Sequence, residues 1–358
     1  MNLNLDTEAV FHHLTPQTYM RGWKHGSSSV YFIEKNDGNI NDDDDWNRNT
    51  RRLAGENHFY SRRAGSLYKT EQDCLTFFKP LNGYDIIHKG IHLTSALDLN
   101  NHFIDYEDWN LYKNGLEISS QEKQDLKEVI LNIHVRDIEA GWDHQYEKYW
   151  NSITEGILNN LKKFPNQDVI PAVKRDELIK FMVSIEWRTK PYHPDLIDSF
   201  NKLLDVTGLN TSNLKSMLIP ENVRLYPFIE TEYDELLHGV LLSKYHEFLN
   251  NTGIMMDEAN KYIDNLLVNL LVAPKDAEFI TSDNPVCRFT NEQGSMEYVF
   301  PINNKLACAL RKTEGDVKNN YHVSKLSKNE VFYYNNHLKN NCYKGYILKE
   351  KDLSLYFK

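Results

Sequence analysis

Apolar residues recur every three or four positions through the middle of the chain, from about residue 66 to residue 272. This spacing places them on one face of a helix, so the pattern predicts a mainly helical body. In the longest stretch, Ile138, Trp142, Tyr146 and Tyr149 belong to an almost unbroken stripe that predicts one long amphipathic helix. The predicted helices cover residues 119–135, 137–164, 174–191, 232–249 and 255–272.

The two flanks of this body are rich in β-branched and aromatic residues. The stretches "VYFIEK" near the start and "EFITS", "EYVFPI" and "LACAL" near the end are typical of strands. Ser327, with Glu330 three residues later, forms a capping box that predicts a last helix. We therefore expect an α+β fold, with a helical body inserted between N-terminal and C-terminal strands that share one small mixed or antiparallel sheet. The expected segments of one compact domain are 1–65 (strands and a His-containing stretch), 66–274 (helical body) and 275–358 (strands and a helix).

Composition is that of an ordered globular protein. Of the 358 residues, 41% are hydrophobic and 12% are aromatic, which excludes a mainly disordered chain. No apolar run approaches the roughly 20 residues of a membrane-spanning helix, and the start, "MNLNLDTEAVFHHL", lacks the pattern of a secretory signal. We therefore expect a cytoplasmic protein that does not bind a membrane. The four cysteines are far apart and never form a C-x-x-C pair, which favours buried free thiols.

The net charge of −10 argues against a general affinity for phosphate backbones, because such binding depends on positive charge. The charge is uneven, however. An acidic cluster at 41–47 is followed by a stretch, 48–63, that holds five arginines and one glutamate. Arg51 and Arg52 are therefore candidates for binding an anion. The alternative is a solvated loop in which the opposite charges lie near each other.

The sequence lacks the motifs G-x-x-x-x-G-K-[ST], G-x-G-x-x-G, H-E-x-x-H and G-x-S-x-G, which argues against a nucleotide-cradling glycine loop. The stretch "SDNPV" partly matches the D/N-P-P-Y turn of adenine methyltransferases, but Val286 and Cys287 replace the second proline and the aromatic residue. Asp283 suits the first carboxylate of a PD-(D/E)xK nuclease, yet Glu297 has no lysine two residues later. Both signatures are therefore incomplete.

A polar segment near the start carries candidate chemistry. The stretch "HLTPQTYMRGW" gathers His13, Gln17, Tyr19 and Arg21 within nine residues. A histidine beside an arginine suits acid–base chemistry on a phosphate ester, because the guanidinium neutralises developing negative charge. The structural alternative is that His13 caps backbone groups and Arg21 pairs with a carboxylate.

A second set of polar residues lies in the helical body and in the turn "TSDNP". Glu147 is next to the apolar stripe, and Arg188 closes the helix that ends in "SIEWRTKP". A buried acid costs stability unless it is paired, so one interpretation is a structural ion pair between Glu147 and Arg188. The other adds Asp283 and His13, to make a polar centre where the helical body meets the sheet. The same turn offers two further polar side chains, Ser282 and Asn284.

Three separated stretches together resemble one family. "HHLTPQTYMRGW" is similar to its opening His-x-x-Pro-Gln-x-Tyr-Leu-Arg-x-Phe pattern, "GENHFYS" to a segment ending in Phe-Tyr, and "FITSDNPV" to its Phe-Ile-Thr-Ser-Asp-Asn-Pro-Val strand. This is the domain of unknown function 4238 (DUF4238) family, and the similarity spans nearly the whole chain. Met20, Trp23 and Lys190 depart from the family pattern, and "PINN" replaces its Pro-Leu-Ser-Pro.

The resemblance implies positions of interest and carries no established activity. Members of the family look like bacterial accessory proteins, which implies by association a place in anti-phage or toxin-like systems. The residues that the resemblance carries over are His13, Pro16, Gln17, Tyr19, Arg21, Arg188, Ser282, Asp283, Asn284 and Pro285.

The leading hypothesis is a metal-assisted or His-dependent phosphodiesterase, a nuclease that acts on RNA or DNA as a bacterial effector. In it, His13 is the general acid or base, while Arg21 and Arg188 hold phosphate charge. Asp283 and Glu147 orient His13 or bind a divalent ion such as Mg²⁺ or Mn²⁺. The residues expected to contact the ligand are Gln17, Tyr19, Arg51, Arg52, Ser282 and Asn284.

Two alternatives stay open. One is a non-enzymatic sensor or interaction protein, with a protein partner or a second copy of itself, whose polar cluster is structural; its many tyrosines suit an interface. The other is transfer chemistry on a nucleotide-derived small molecule such as NAD. No feature of the sequence requires this second alternative.

Overall fold

The structure is a computed structural model that describes residues 11–35 and 45–358, apart from 67, 69, 191, 222, 223, 225, 227, 293 and 314–316. The acidic cluster at 41–47 therefore lies mostly outside the described residues. The strands in chain order are β1 Phe11–His13, β2 Ser29–Glu34, β3 Asn47–Asn49, β4 Gly55–Asn57, β5 Tyr84–His88, β6 Ile91–His92, β7 Trp109–Lys113, β8 Leu116–Glu117, β9 Val169–Pro171, β10 Leu266–Val272, β11 Thr281–Ser282, β12 Cys287–Thr290, β13 Met296–Asn303, β14 Leu306–Lys312, β15 Asn320–Lys325 and β16 Gly345–Leu348.

The α-helices in chain order are α1 Gln17–Met20, α2 Glu71–Cys74, α3 Ala96–Asn101, α4 Ser120–Leu131, α5 Asp137–Gln145, α6 Trp150–Lys163, α7 Arg175–Thr189, α8 Pro194–Thr207, α9 Thr211–Ser216, α10 Glu232–Leu249, α11 Gly253–Asn265 and α12 Lys328–Asn341. Within the described residues, no helix is both long enough and apolar enough to cross a membrane. The predicted capping box is confirmed, since Ser327 and Glu330 bond each other's backbone amides at the start of α12.

The described residues form two compact units, and each unit is assembled from separated stretches of chain. The first takes its described residues from 58–140 and 194–247, and the second from 10–57, 141–193 and 248–358. The predicted segmentation at residues 65 and 274 follows sequence order and stays a prediction.

In the second unit, strands from both ends of the chain share a sheet, as the sequence predicts. Strand β2 pairs antiparallel with β16, and the sheet has the order β11-β16-β2-β3, antiparallel throughout. The four residues of β16 are all buried, so this C-terminal strand lies in the interior of the unit. The predicted α+β class is confirmed.

A six-stranded mixed sheet, in the order β12-β13-β14-β10-β15-β9, is the other large sheet of this unit. Its centre, β10, pairs antiparallel with β14 and parallel with β15. The prediction of one helix over 255–272 is wrong here, because α11 ends at Asn265 and the apolar run 266–272 is β10. Five of the seven residues of β10 are buried. Periodicity cannot separate such a run from a buried helix, because it lacks a polar face.

The single long helix predicted over 137–164 is also wrong. The chain turns at Tyr146, which has φ −128° and ψ −57°, and a 3₁₀ helix over Glu147–Tyr149 separates α5 from α6. The break lets the aromatic residues before and after it pack against different partners. The ring of Tyr146 stacks on Phe248 at 5.2 Å, while Trp150 stacks on Phe181 of α7 at 4.3 Å between ring centroids.

The first unit contains a four-stranded antiparallel sheet, in the order β6-β5-β7-β8, inside the stretch that the sequence analysis assigns to helices. Two tight hairpins build it. Lys89 and Gly90 have φ of 49° and 82°, and Asn114 and Gly115 have φ of 52° and 78°. Two consecutive left-handed residues match the twist of paired strands, and Asn-Gly is the strongest short hairpin signal. The local turn chemistry therefore predicts this sheet, although the helical periodicity around it does not.

All four cysteines are buried and unbridged, as predicted. Burial raises the pKa of Cys74, Cys287 and Cys308 to about 12. These thiols therefore stay protonated near neutral pH, and they are weak nucleophiles.

An aromatic cluster in the first unit surrounds a histidine of α10. The ring of His238 lies 5.0 Å from Phe59, 5.8 Å from Tyr226 and 5.1 Å from Phe228, in edge-on arrangements. Burial lowers the pKa of His238 to about 4. The imidazole is therefore neutral in the folded unit at pH 7.

Replacing His238 with Phe should reduce the loss of stability in acid. The folded state holds His238 neutral and the unfolded chain protonates it near pH 6.5, so its contribution is complete above pH 6.5 and is lost as the pH falls towards 4. A shift from 6.5 to about 4 corresponds to roughly 3 kcal/mol. Urea unfolding between pH 7 and pH 4 measures this slope. The exposed His92, changed to Phe, is the control and should keep the wild-type slope; an unchanged slope in His238→Phe would contradict the assignment.

Candidate functional site

Arg188, the second-to-last residue of α7, is the centre of the predicted polar cluster. Its side chain is only 2% exposed. The guanidinium donates from Nη2 to the carbonyl of His13 at 2.5 Å, and its Nη1 lies 2.8 Å from Oε1 of Glu147. It also covers the ring of Trp142, with Cζ at 5.2 Å from the ring centroid. One buried cation thus joins α7, β1 and the 3₁₀ helix that follows α5.

The imidazole of His13 is turned towards backbone. Its Nε2 lies 3.2 Å from the carbonyl of Thr50, which makes Nε2 the donor in this contact. Burial lowers the pKa of His13, the Thr50 carbonyl opposes that change, and the nearby Arg188 charge lowers it further. A neutral His13 ring that donates to a backbone carbonyl agrees with the structural alternative, in which His13 caps backbone groups.

Asp283 caps the start of the last strand. Its Oδ1 accepts from the amide of Tyr343 at 3.0 Å, and its Oδ2 accepts from the amide of Lys344 at 2.6 Å. The hydroxyl of Thr15 donates to the carbonyl of Asp283 at 3.1 Å. Burial raises the pKa of Asp283, and the backbone donors oppose this effect. The carboxylate therefore ties the "TSDNP" turn to the chain entering β16.

The neighbours of Asp283 are equally well bonded. The amide of Asn284 donates to the hydroxyl of Ser282 at 3.1 Å, and its side-chain amide donates to the carbonyl of Asn341 at 2.8 Å. Thr189, next to Arg188, donates its hydroxyl to Oδ1 of Asn284 at 3.1 Å. Ser282 therefore stabilises the turn itself, while Asn284 connects the turn to the ends of α7 and α12.

The structure thus brings together the distant stretches that sequence analysis selected. The end of α7 contacts His13 through Arg188 and the "TSDNP" turn through Thr189. Thr15, near His13, bonds the same turn directly at the carbonyl of Asp283. The contacts of Asp283 and Glu147 differ, however, from the predicted roles of orienting His13 or binding a divalent ion. Both carboxylate oxygens of Asp283 accept backbone amides, and Glu147 faces Arg188.

The remaining predicted residues lie at different depths. Tyr19 is fully buried, and its hydroxyl contacts Thr281 Oγ1 at 2.7 Å and the carbonyl of Pro301 at 2.9 Å. Gln17 is half-buried in α1, and Arg21 is exposed in the next 3₁₀ turn. Two more predicted residues, Arg51 and Arg52, are exposed in the 3₁₀ helix Thr50–Arg52.

Asp283 and Arg52 both line a cavity of about 630 Å³ in the second unit. Glu34, Glu56 and Lys344 line it as well. Acidic and basic groups are mixed around this space. The cavity therefore has no single sign of charge that would define it as an anion site.

A larger cavity of about 930 Å³ lies beside residues that the sequence analysis did not select. Arg288 of β12 and Tyr298 of β13 line it, together with Tyr262 of α11. Apolar surface and the exposed residues Lys261 and Lys312 complete its wall. We name this space the Arg288 cavity.

Two carboxylates hold the guanidinium of Arg288. Its Nη2 lies 2.6 Å from Oε2 of Glu186 and 2.8 Å from Oε1 of Glu258. The hydroxyls of Tyr298 and Tyr262 donate to the same two carboxylate oxygens. A buried ion pair is stable only when its remaining polar atoms are satisfied, and these phenols supply that. Arg288 is therefore fixed in position at the cavity.

The protonation states of this group follow from its surroundings. Burial opposes ionisation of Glu258, but hydrogen bonds from Tyr262, Trp187 and Arg288 outweigh it and lower its pKa. Burial, with the adjacent Glu186 charge, raises the pKa of Tyr298. The carboxylate is charged and the phenol remains a donor. The signal that sequence analysis missed was Glu186, an acid in the last turn of α7 that follows a run of apolar residues and is 1% exposed.

The fold and these two clusters define an α+β protein with two ionic clusters built around Glu186 and Arg188 in the last turn of α7. The family model described as "Protein of unknown function (DUF4238)" matches residues 12–352, so the chain belongs to the DUF4238 family. No curated protein and no solved structure matches the chain. The family match spans nearly all of the chain and brings no activity with it.

Changing Arg188 to Met should destabilise the protein by about 3–5 kcal/mol, because Glu147 would keep a buried charge without its partner. The double variant Arg188→Met/Glu147→Gln removes that charge and should recover part of the loss. Urea unfolding at pH 7 measures both.

The exposed Arg52, changed to Met, is the matched control and should cost less than about 0.5 kcal/mol. If Arg188→Met costs no more than this control, the buried pair is not a structural junction.

Proposed function

We propose that this protein is a non-enzymatic sensor or interaction component, and that the cluster around Arg188 is structural. The observation that supports this is the internal use of four of the five groups that the hydrolytic hypothesis assigns to catalysis, all except the exposed Arg21. Arg188 bonds Glu147 and the His13 carbonyl, His13 faces the Thr50 carbonyl, and Asp283 caps two amides. A catalytic base needs to reach the proton that it removes, and these groups are directed at the protein itself.

The Arg288 cavity is the part of the second unit best suited to a ligand. Its volume of about 930 Å³ is within the range of small-molecule sites, roughly 300–1,000 Å³. Tyr262, Leu266 and Met296 supply apolar surface, while Lys261 and Lys312 supply positive charge. A small anion with an apolar or aromatic part, such as a nucleoside monophosphate, matches this wall.

Phosphodiesterase activity on RNA or DNA is the second candidate, and one observation favours it. Asp283 and Arg52, both selected from the sequence, line the same cavity of about 630 Å³. In this proposal Arg52 would bind a phosphate group of the substrate in this cavity, and Asp283 would face the same phosphate group. A role as an effector of anti-phage or toxin-like systems belongs to this candidate.

Purified protein should leave single- and double-stranded RNA and DNA intact, with or without Mg²⁺ or Mn²⁺. Gel electrophoresis of labelled substrates measures this. The deciding variant is Arg52→Ala, because Arg52 is exposed and its loss should not affect folding. The exposed Arg48, changed to Ala, is its control. Cleavage that disappears in Arg52→Ala and persists in Arg48→Ala would establish the nuclease and contradict the sensor.

The double variant Lys261→Glu/Lys312→Glu should weaken ligand binding at the Arg288 cavity by more than about 10-fold, since it reverses two charges at the wall. Native mass spectrometry after incubation with a metabolite extract identifies the ligand, and calorimetry then measures its affinity. The variant Lys162→Glu/Lys202→Glu makes the same charge change on exposed helical positions and should bind as wild type. Equal loss in both variants would show that net charge, and not this cavity, controls binding.

A further inference from the structure

Three potential metal ligands converge in the first unit, whereas the candidate residues selected from the sequence all belong to the second unit. The three ligands are His88, His102 and Asp105, and one ligand atom from each lies within 4.8 Å of the others. Nε2 of His88 lies 3.4 Å from Oδ2 of Asp105. We propose that these three residues bind a divalent transition-metal ion of the zinc class.

Local backbone structure positions all three groups. His88 is the last residue of β5, and it pairs with Trp109 at the start of β7. His102 follows the last residue of α3, and the amide of Asp105 donates to the His102 carbonyl at 3.0 Å, in the 3₁₀ helix that leads into β7. The turn after His88 is closed by Lys89 and a glycine with positive φ. Strand pairing and helix ending thus hold the ligands near each other before any ion binds.

The imidazole of His88 provides independent support. The residue is 5% exposed, and within the described part of the chain its Nε2 forms no hydrogen bond. The atom points at Asp105, at a distance longer than a hydrogen bond of good geometry. A buried polar atom left in this way costs stability. Coordination to a cation would satisfy this nitrogen and the carboxylate together.

The distances suit a small ion. Bonds of about 2.0–2.1 Å in a tetrahedral site place neighbouring ligand atoms about 3.3 Å apart, close to the 3.4 Å between His88 and Asp105. His102 is exposed, and its ring centroid is 4.9 Å from that of His88, so a change of side-chain rotamer can complete the triangle. Two imidazoles and one carboxylate favour zinc over magnesium or calcium, which prefer oxygen ligands.

Lys89 is the competing cation. Its ammonium lies 3.4 Å from Oδ2 of Asp105 and 3.8 Å from Oδ2 of Asp108. The side chain is 63% exposed, so it can turn into solvent when a metal occupies the carboxylate. Removal of Lys89 should therefore strengthen metal binding, which a purely structural cluster would not predict.

Calorimetric titration of Zn²⁺ into metal-free protein, without an affinity tag that contains histidine, tests the proposal. We expect one ion to bind per chain. His102→Ala and Asp105→Asn should each lower the affinity by more than about 10-fold, and Lys89→Ala should raise it. His92→Ala removes an exposed histidine of the neighbouring strand and should bind as wild type. His102 and Asp105 lie outside the hydrophobic core, and circular dichroism confirms that the variants fold.

Co²⁺ provides a second readout, because its visible absorption reports nitrogen ligands in a tetrahedral site. The absorption should appear in wild type and in His92→Ala, and disappear in His102→Ala. Failure of wild type to bind either ion saturably would overturn the proposal. Equal affinity for Zn²⁺ in folded His102→Ala, Asp105→Asn and wild type would overturn it as well. Neither result bears on the Arg288 cavity, which lies in the other unit.

Discussion

The second unit depends on the need to neutralise charges that α7 carries into the interior, two of which lie in its last turn. Glu186 and Arg188 are 1% and 2% exposed, on a helix whose other buried residues are mostly apolar. An uncompensated charge at such depth costs several kcal/mol, so each of these two residues requires a partner from a neighbouring segment. Arg288 does so for Glu186, and Glu147 does so for Arg188. The positions of β12 and of the turn after α5 follow from that requirement.

These ionic contacts select one packing of strands and helices on α7 more than they increase the free energy of unfolding. Replacing a buried ion pair with apolar residues is often neutral or stabilising, whereas separating its members is costly. If the six-stranded sheet placed apolar residues against Glu186 instead of Arg288, the folded state would therefore be less stable by several kcal/mol. The hydroxyls of Tyr298 and Tyr262 extend this selection, because each phenol requires its own carboxylate oxygen. The charges thus fix which strands and helices meet α7.

The sequence was a good guide where local chemistry determines structure. The capping box at Ser327 was predicted from local chemistry. A sheet shared by N-terminal and C-terminal strands was also predicted, but β16, which pairs with β2, lies in a stretch where no strand was predicted. The failures have one physical cause, which is that tertiary packing decides between local possibilities. The run 266–272 becomes a strand because β14 and β15 flank it. Likewise, the helix break at Tyr146 follows from the aromatic partners on either side.

The same cause explains why the sequence indicated the polar cluster and left its function open. Residue types identify groups that need partners, but only three-dimensional contacts show whether those partners belong to the protein or to a ligand. For His13 and Asp283 the partners are backbone atoms. For His88, a single poorly bonded imidazole nitrogen remains in an otherwise ordered hairpin. A site for a ligand is therefore better recognised from unsatisfied buried atoms than from the number of polar residues in a motif.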